Sequence, residues 1–275
     1  MSAPTVGFVG LGMIGRPMAL TLARSDLDLL VYDVVPDPVA ELEAAGAKAA
    51  GSVAELAAEV DVLCVMVRDD EQVREVAGSV PPDTVLVVHS TLAPGTPAEL
   101  AARGLRVLDA PVSGGPTGAA EGTLAVMVGG AEADLAVARP VLEVLGAKVV
   151  HAGPVGAGTR FKLARNMMHF VSFTAATEAM RLAEASGLSL QDLGDVVRHT
   201  DAITGGPGAI ILRRTTAPIE PADFWHGVMP HVVALGDKDL GFAIELAEQL
   251  GVDVPLARQA RADLATGLGL ARGDG

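Results

Sequence analysis

An apolar run, Thr5 to Val9, leads straight into Gly10-Leu11-Gly12-Met13-Ile14-Gly15 and then into an amphipathic segment from Ile14 to Arg24. Three glycines at this spacing between a strand and a helix admit few folds. The first permits a tight turn, the second lets a pyrophosphate approach the backbone, and the third lets helix and strand pack closely. The N-terminus of the helix then offers unpaired N–H groups to phosphate oxygens. Gly10, Leu11, Gly12, Met13, Ile14 and Gly15 are therefore expected to contact a dinucleotide.

Asp33 sharpens this reading. It follows the second apolar run, Leu29 to Tyr32, and lies 33 − 15 = 18 residues past the last glycine. A carboxylate there accepts hydrogen bonds from the adenosine ribose hydroxyls and repels a 2′-phosphate. Val34, Val35 and Pro36 come next, so no arginine follows to clamp that phosphate. NAD is expected in preference to NADP.

The periodicity of the chain divides at about residue 161. Before it, strands are expected at Thr5 to Val9, Leu29 to Tyr32, Val62 to Val67, Val85 to Val88, Arg106 to Leu108, Leu124 to Val128 and Lys148 to Val150. Helices are expected between them, notably at Ile14 to Arg24, Val53 to Glu59 and Ala133 to Leu145. Short β-branched runs alternating with Ala-rich segments predict a parallel sheet covered on both faces. Beyond it, Phe161 to Ser186 reads as one helix of roughly 40 Å closed by Gly187. Gly205 to Gly208 interrupt the next helical region, Val232 to Leu250 resumes it, and Pro255 opens a last helix, with Arg272 to Gly275 frayed. The fold class is α/β: a Rossmann-type doubly wound sheet over 1–161, then an all-α domain over 162–275, with the active site in the cleft between them.

Composition narrows the partners. With 20 bases against 34 acids the net charge is −14, and no basic stripe suits a nucleic-acid backbone. The longest helix-like apolar stretch, Leu163 to Leu182, carries Arg165, His169, Glu178 and Arg181, which a membrane span does not want. The single cysteine, Cys64, sits in an apolar run and reads as a core thiol. The N-terminus has no basic region of a secretory signal. The expectation is a soluble cytoplasmic protein without nucleic-acid or membrane partners. No metal site is expected: His226 and His231 are five residues apart, roughly 140° around a helix. Trp225 reads as helix packing or a pocket wall.

Two further segments carry chemistry. In Asp109-Ala110-Pro111-Val112-Ser113-Gly114-Gly115-Pro116 the glycines expose backbone N–H groups and Ser113 adds a hydroxyl, a loop able to hold a carboxylate. Lys162 and Asn166, four residues apart on the long helix, share one face. A lysine can take a proton from an alcohol if burial or neighbouring charge lowers its pKa, although spacing alone leaves a solvated lysine as the plainer reading.

Together, Gly10 to Gly15 with Asp33, Ser90-Thr91, Asp109 to Gly115, Gly156-Ala157-Gly158 with Lys162 and Asn166, and Lys238-Asp239-Leu240 resemble the β-hydroxyacid dehydrogenases. That family includes 3-hydroxyisobutyrate dehydrogenase and tartronate semialdehyde reductase. The resemblance spans nearly the whole chain. It implies that Lys162 is the catalytic lysine and that Asn166 orients the substrate. It implies that Ser113, Gly114 and Gly115 bind the substrate carboxylate. Val67, Arg68, Gln72 and Thr91 match positions along the cofactor, and Lys238 matches a lysine beside the nicotinamide. The implied reaction interconverts a small 3-hydroxy acid and its semialdehyde with NAD, in a homodimer or homotetramer. The rivals are an imine reductase of the same fold, which usually lacks the lysine, and a non-catalytic NAD-binding protein. Arg165, where relatives commonly carry asparagine or histidine, departs from the pattern; whether it faces pocket or solvent stays open.

Overall fold

The computed structural model describes residues 3–211 and 215–270. The expected fraying of Arg272 to Gly275 lies outside the described residues. The chain divides into two compact units, Met1–Asn166 and Met167–Gly275.

In the first unit strands and helices alternate. They are β1 (Val6–Val9), α1 (Gly15–Ala23), β2 (Leu29–Tyr32), α2 (Pro36–Ala44), β3 (Lys48–Ala49), α3 (Val53–Ala58), β4 (Val62–Val65) and α4 (Asp70–Ala77). There follow β5 (Val85–Val88), α5 (Thr96–Ala102), β6 (Arg106–Asp109), β7 (Val112–Ser113), α6 (Gly115–Glu121), β8 (Ala125–Gly129), α7 (Glu132–Leu145) and β9 (Lys148–Gly153). The sheet order is β3-β2-β1-β4-β5-β6-β8, with β7 and β9 also paired to β8. Pairing is parallel from β3 to β6. β8 reverses the rule, running antiparallel to β6 and β7 and parallel to β9. The sheet is thus parallel-dominated rather than purely parallel.

Alternation along the strands explains why both faces are covered. Phe8, Val31, Cys64 and Val87 point to one side, where they meet Met18 and Leu22 of α1 and Leu135 and Leu142 of α7. Val9, Leu30, Leu63, Val65 and Leu86 point to the other, where Leu56 of α3, Val73 of α4 and Leu100 of α5 close over them. With a side-chain period of two, strands buried on both faces must be apolar throughout, as these are. Cys64 lies in the first of these cores, fully buried, and desolvation pushes its thiol up to about 12.

Some sequence-expected bounds shift for visible reasons. The strand expected to reach Val67 ends at Val65, because the Val67 N–H bonds to Ser90 Oγ (3.0 Å) instead of continuing a ladder. β3 and β7, two residues each, carry too little pattern to be expected. The long helix α8 spans Ala157–Ala185 and so begins before the expected Phe161.

The second unit holds the remainder of α8, then α9 (Leu190–Thr204), α10 (Met229–Leu250) and α11 (Pro255–Gly267). Helix α8 ends at Gly187 (φ +73°) in a Schellman turn, with Leu188 N–H on Ala183 O and Gly187 N–H on Glu184 O, both 2.9 Å. Buried Glu178 caps α11, accepting from Leu256 N–H (2.8 Å) and Ala257 N–H (2.9 Å). Trp225 packs against Ile219, Met229 and Val233, the helix-packing alternative of the sequence reading. Among the described residues, no helix is long and apolar enough to cross a membrane.

Candidate active site

The glycine turn is built as its spacing requires. Gly10 has φ +95°, and a Cβ there would lie 2.3 Å from Met66 O; one on Gly15 would lie 1.9 Å from Gly10 O. Around Gly12, by contrast, a Cβ would meet no protein atom within 4 Å. The first and third glycines are therefore demanded by the fold, and the second faces open space at the start of α1, where a pyrophosphate fits. The site lies where β2 and β4 diverge from β1, the switch point of the sheet. A cleft of about 530 Å³ there is lined by Gly10, Gly12, Asp33, Val67, Arg68 and Gln72, among others.

Asp33 is half-buried at the end of β2. Its Oδ2 accepts from Leu11 N–H (2.5 Å) and its Oδ1 from Val35 N–H (2.8 Å). Each carboxylate oxygen can accept twice, so both keep capacity for ribose hydroxyls. Of the other expected contacts, Leu11, Met13, Ile14, Gly15 and Thr91 do not line this cleft. Leu11 contributes its N–H to Asp33 and Gly15 its lack of a side chain, whereas Met13 and Thr91 are exposed. Lys238, on α10 in the second unit, is exposed and pairs with Asp239 (3.2 Å).

The second cluster forms at the start of α8. Lys162 is 8% exposed, and its Nζ donates to Val112 O (2.7 Å) and Ser113 Oγ (2.9 Å). Desolvation, aided by the positive charge of Arg165, lowers its pKa to about 8. Ser113 accepts from Lys162 and keeps its own proton to donate. Gly114 (φ +139°) and Gly115 (φ +64°) take backbone angles that side chains rarely adopt. On α8, Arg165 Nη1 donates to Asn166 Oδ1 (3.3 Å), and the Asn166 amide NH₂ remains free to donate to a substrate. Lys162, Asn166 and Ser113 thus share one corner of the first unit, as the i,i+4 spacing suggested for the first two.

Sequence reasoning missed the residue that holds this corner together. Asp109, fully buried at the end of β6, accepts from Gly156 N–H and Thr159 N–H, both 2.6 Å, and so caps α8 from another strand. Burial pushes its carboxyl above the usual range, opposed by those two backbone bonds. Gly158 sits so close to β6 and β8 that a Cβ would lie 2.2 Å from Met127 O and 2.3 Å from Asp109 O. The signal was present in Val107-Leu108-Asp109-Ala110: an acid inside a buried run must find donors.

Comparison with known proteins follows the same two parts. The NAD binding domain of 6-phosphogluconate dehydrogenase matches residues 5–153, and the NAD-binding domain of NADP-dependent 3-hydroxyisobutyrate dehydrogenase matches residues 156–274. The chain belongs to the β-hydroxyacid dehydrogenase family. This β-hydroxyacid dehydrogenase is an NAD-dependent oxidoreductase. It is 46% identical to an uncharacterized oxidoreductase of Mycobacterium tuberculosis, over 98% of this chain and 95% of the relative. A crystal structure from Mycobacterium avium 104, of a protein named no more specifically than an oxidoreductase, is 47% identical with a TM-score of 0.93, over 97% of this chain and 99% of the other. The structure of Mycobacterium tuberculosis 3-hydroxyisobutyrate dehydrogenase with L-serine is 34% identical with a TM-score of 0.67, over 98% of this chain and 96% of the other.

Proposed function

We propose that this dehydrogenase oxidises the hydroxyl of a small 3-hydroxy acid with NAD, or reduces the matching semialdehyde, and that Lys162 carries the proton. The observation that carries the reading is the Lys162 ammonium: nearly buried, held by Val112 O and Ser113 Oγ, with its pKa brought down to about 8. A neutral amine at that place spends both N–H groups on those two acceptors and keeps its lone pair for a substrate hydroxyl.

Ser113, Gly114 and Gly115 hold the substrate carboxylate through the serine hydroxyl and loop amides, and the Asn166 amide NH₂ orients the reacting oxygen. Bound NAD supplies the hydride acceptor. As the carbon loses its hydride, the hydroxyl proton passes to Lys162 Nζ; in the reverse direction Lys162 returns it to the carbonyl oxygen. Gly10, Gly12, Asp33, Val67, Arg68 and Gln72 hold the cofactor, and the family pattern assigns Thr91 and Lys238 to it as well. In this reading residues 1–161 do the nucleotide work, and residues 162–275 shape the substrate site and join copies of the chain into a cytoplasmic homo-oligomer.

Lys162→Ala tests the assignment. Acid/base catalysis contributes about 10² to 10⁴-fold, so kcat should fall by that factor in turnover of 3-hydroxy acids with NAD. NAD affinity, measured by calorimetry, should be retained because the nucleotide contacts lie elsewhere. A variant with near wild-type kcat would remove Lys162 from the chemistry.

A further inference from the structure

Arg165 is the cation of this corner that the proposed reaction does not use. It is half-buried on α8, one turn from Lys162, and its Nη1 donates to Asn166 Oδ1. Among the described residues no carboxylate lies within ion-pair distance of Arg165 or of Lys162; eight arginines have such a partner, whereas Arg24, Arg103, Arg160 and Arg181 share its absence without a second cation held in a buried cluster beside them. Scarcity of acids is not the reason, since the chain carries 34 acids against 20 bases. Two cations three residues apart are left without internal neutralisation, beside the Asn166 amide, whose oxygen accepts from Arg165. The Arg165 guanidinium, the Asn166 amide NH₂ and the Ser113 hydroxyl are all donors, and the guanidinium fork matches a carboxylate with two parallel hydrogen bonds.

We infer that Arg165 selects a doubly charged substrate: a 3-hydroxy acid whose substituent at the carbon next to the first carboxylate ends in a second carboxylate. This inference rests on the proposed assignment of Ser113 to the first carboxylate and Lys162 to the hydroxyl. A second carboxylate there would also offset the repulsion between the two cations. An ammonium in the same place, as in serine, would add to it.

The test measures kcat/KM with NAD for 2-(hydroxymethyl)butanedioate, for its side-chain monoamide and for 3-hydroxy-2-methylpropanoate, in wild type, Arg165→Met and Arg165→Lys. A lost charge-assisted contact is worth about 10- to 100-fold, so wild type should favour the diacid over its monoamide by that factor. Arg165→Met should abolish the preference, and Arg165→Lys, which keeps charge but not the fork, should restore part of it. Turnover of the singly charged acids with no preference for the diacid, or a preference that survives in Arg165→Met, overturns the inference and leaves the 3-hydroxy acid reading standing. A rise in KM for NAD in Arg165→Met with the diacid-to-monoamide ratio unmoved assigns the guanidinium to the cofactor and also overturns it. Failure of all three substrates in wild type overturns both readings.

Discussion

Lys162 shows how far one residue's surroundings change its chemistry. An ordinary lysine is neutral about once in 3000 molecules at pH 7, whereas one with a pKa near 8 is neutral about once in ten. That difference decides whether an amine can accept a proton at all. In the oxidation direction, kcat/KM should therefore rise with pH and level off above an inflection near about 8. Removing the Arg165 charge should move that inflection upward, because its repulsion is one of the two causes of the lowered value. A profile without an inflection between pH 7 and 9, recorded with a well-folded enzyme, would contradict the assignment. Asp33 gives a second residue-scale expectation. Asp33→Ala removes the carboxylate that repels a 2′-phosphate and frees the Leu11 and Val35 N–H groups. The ratio of kcat/KM for NAD over NADP should fall by about tenfold or more, given the usual worth of a charge-assisted hydrogen bond. An unchanged ratio would assign cofactor choice to other groups. Both residues were legible in the sequence, Asp33 from its distance to the glycines and Lys162 from its spacing to Asn166 and from the family pattern. The lowered pKa was not, because it depends on burial against Val112 and Ser113, some 50 positions earlier.

Helix α8 carries the same lesson to the scale of elements. Local pattern placed its start at Phe161, because Gly156 and Gly158 read as turn residues. The helix begins at Ala157 because Asp109, on β6, supplies the missing cap, and because Gly158 fits against β6 and β8 where no other residue would. A cap delivered from 47 positions away leaves no local signature. It also ties the first turn of α8, and with it Lys162, to the strand that leads into Ser113. Asp109→Ala should leave two buried N–H groups without acceptors, at about 1–3 kcal/mol each. Denaturant unfolding should show a loss of about 2–6 kcal/mol, with kcat reduced even where the protein remains folded. Asp109→Asn retains one acceptor oxygen but turns an amide NH₂ toward the other N–H, so it should recover no more than about half of that stability. Wild-type stability in Asp109→Ala would mean that the cap is dispensable. Elements with a strong pattern of their own, such as β2 and β5, fell within a residue of expectation. Two-residue strands and the reversal at β8 depend on pairing partners that a single segment cannot display.

At the scale of the whole molecule, the two units differ in how their apolar residues are used. The first buries its apolar residues on both faces of one sheet. In the second, α9 and α11 have no fully buried residue, while Met167 (69%), Phe170 (59%) and Phe173 (54%) on α8 and Ile203 (72%) on α9 stand exposed. Helices of this length owe their stability mainly to packing of an apolar face rather than to intrinsic propensity. The sequence made the helices legible from their period but not the surface that covers them. A second copy of the chain is the occupant proposed here, since a stable interface removes about 800 Å² per partner from water and these exposed Phe, Met and Ile side chains contribute to it at about 25 cal/mol per Å². Light scattering should give a mass at least twice the 27.9 kDa of one chain. Phe170→Glu combined with Phe173→Glu should shift the population toward single chains, because two carboxylates would have to be buried without partners. The thermal midpoint should also rise with protein concentration in wild type and lose that dependence in the double variant, as mass action requires when association stabilises the fold. A wild-type mass of one chain across the accessible concentration range would sink the proposal, and α9 would then have to be stable with both faces in water.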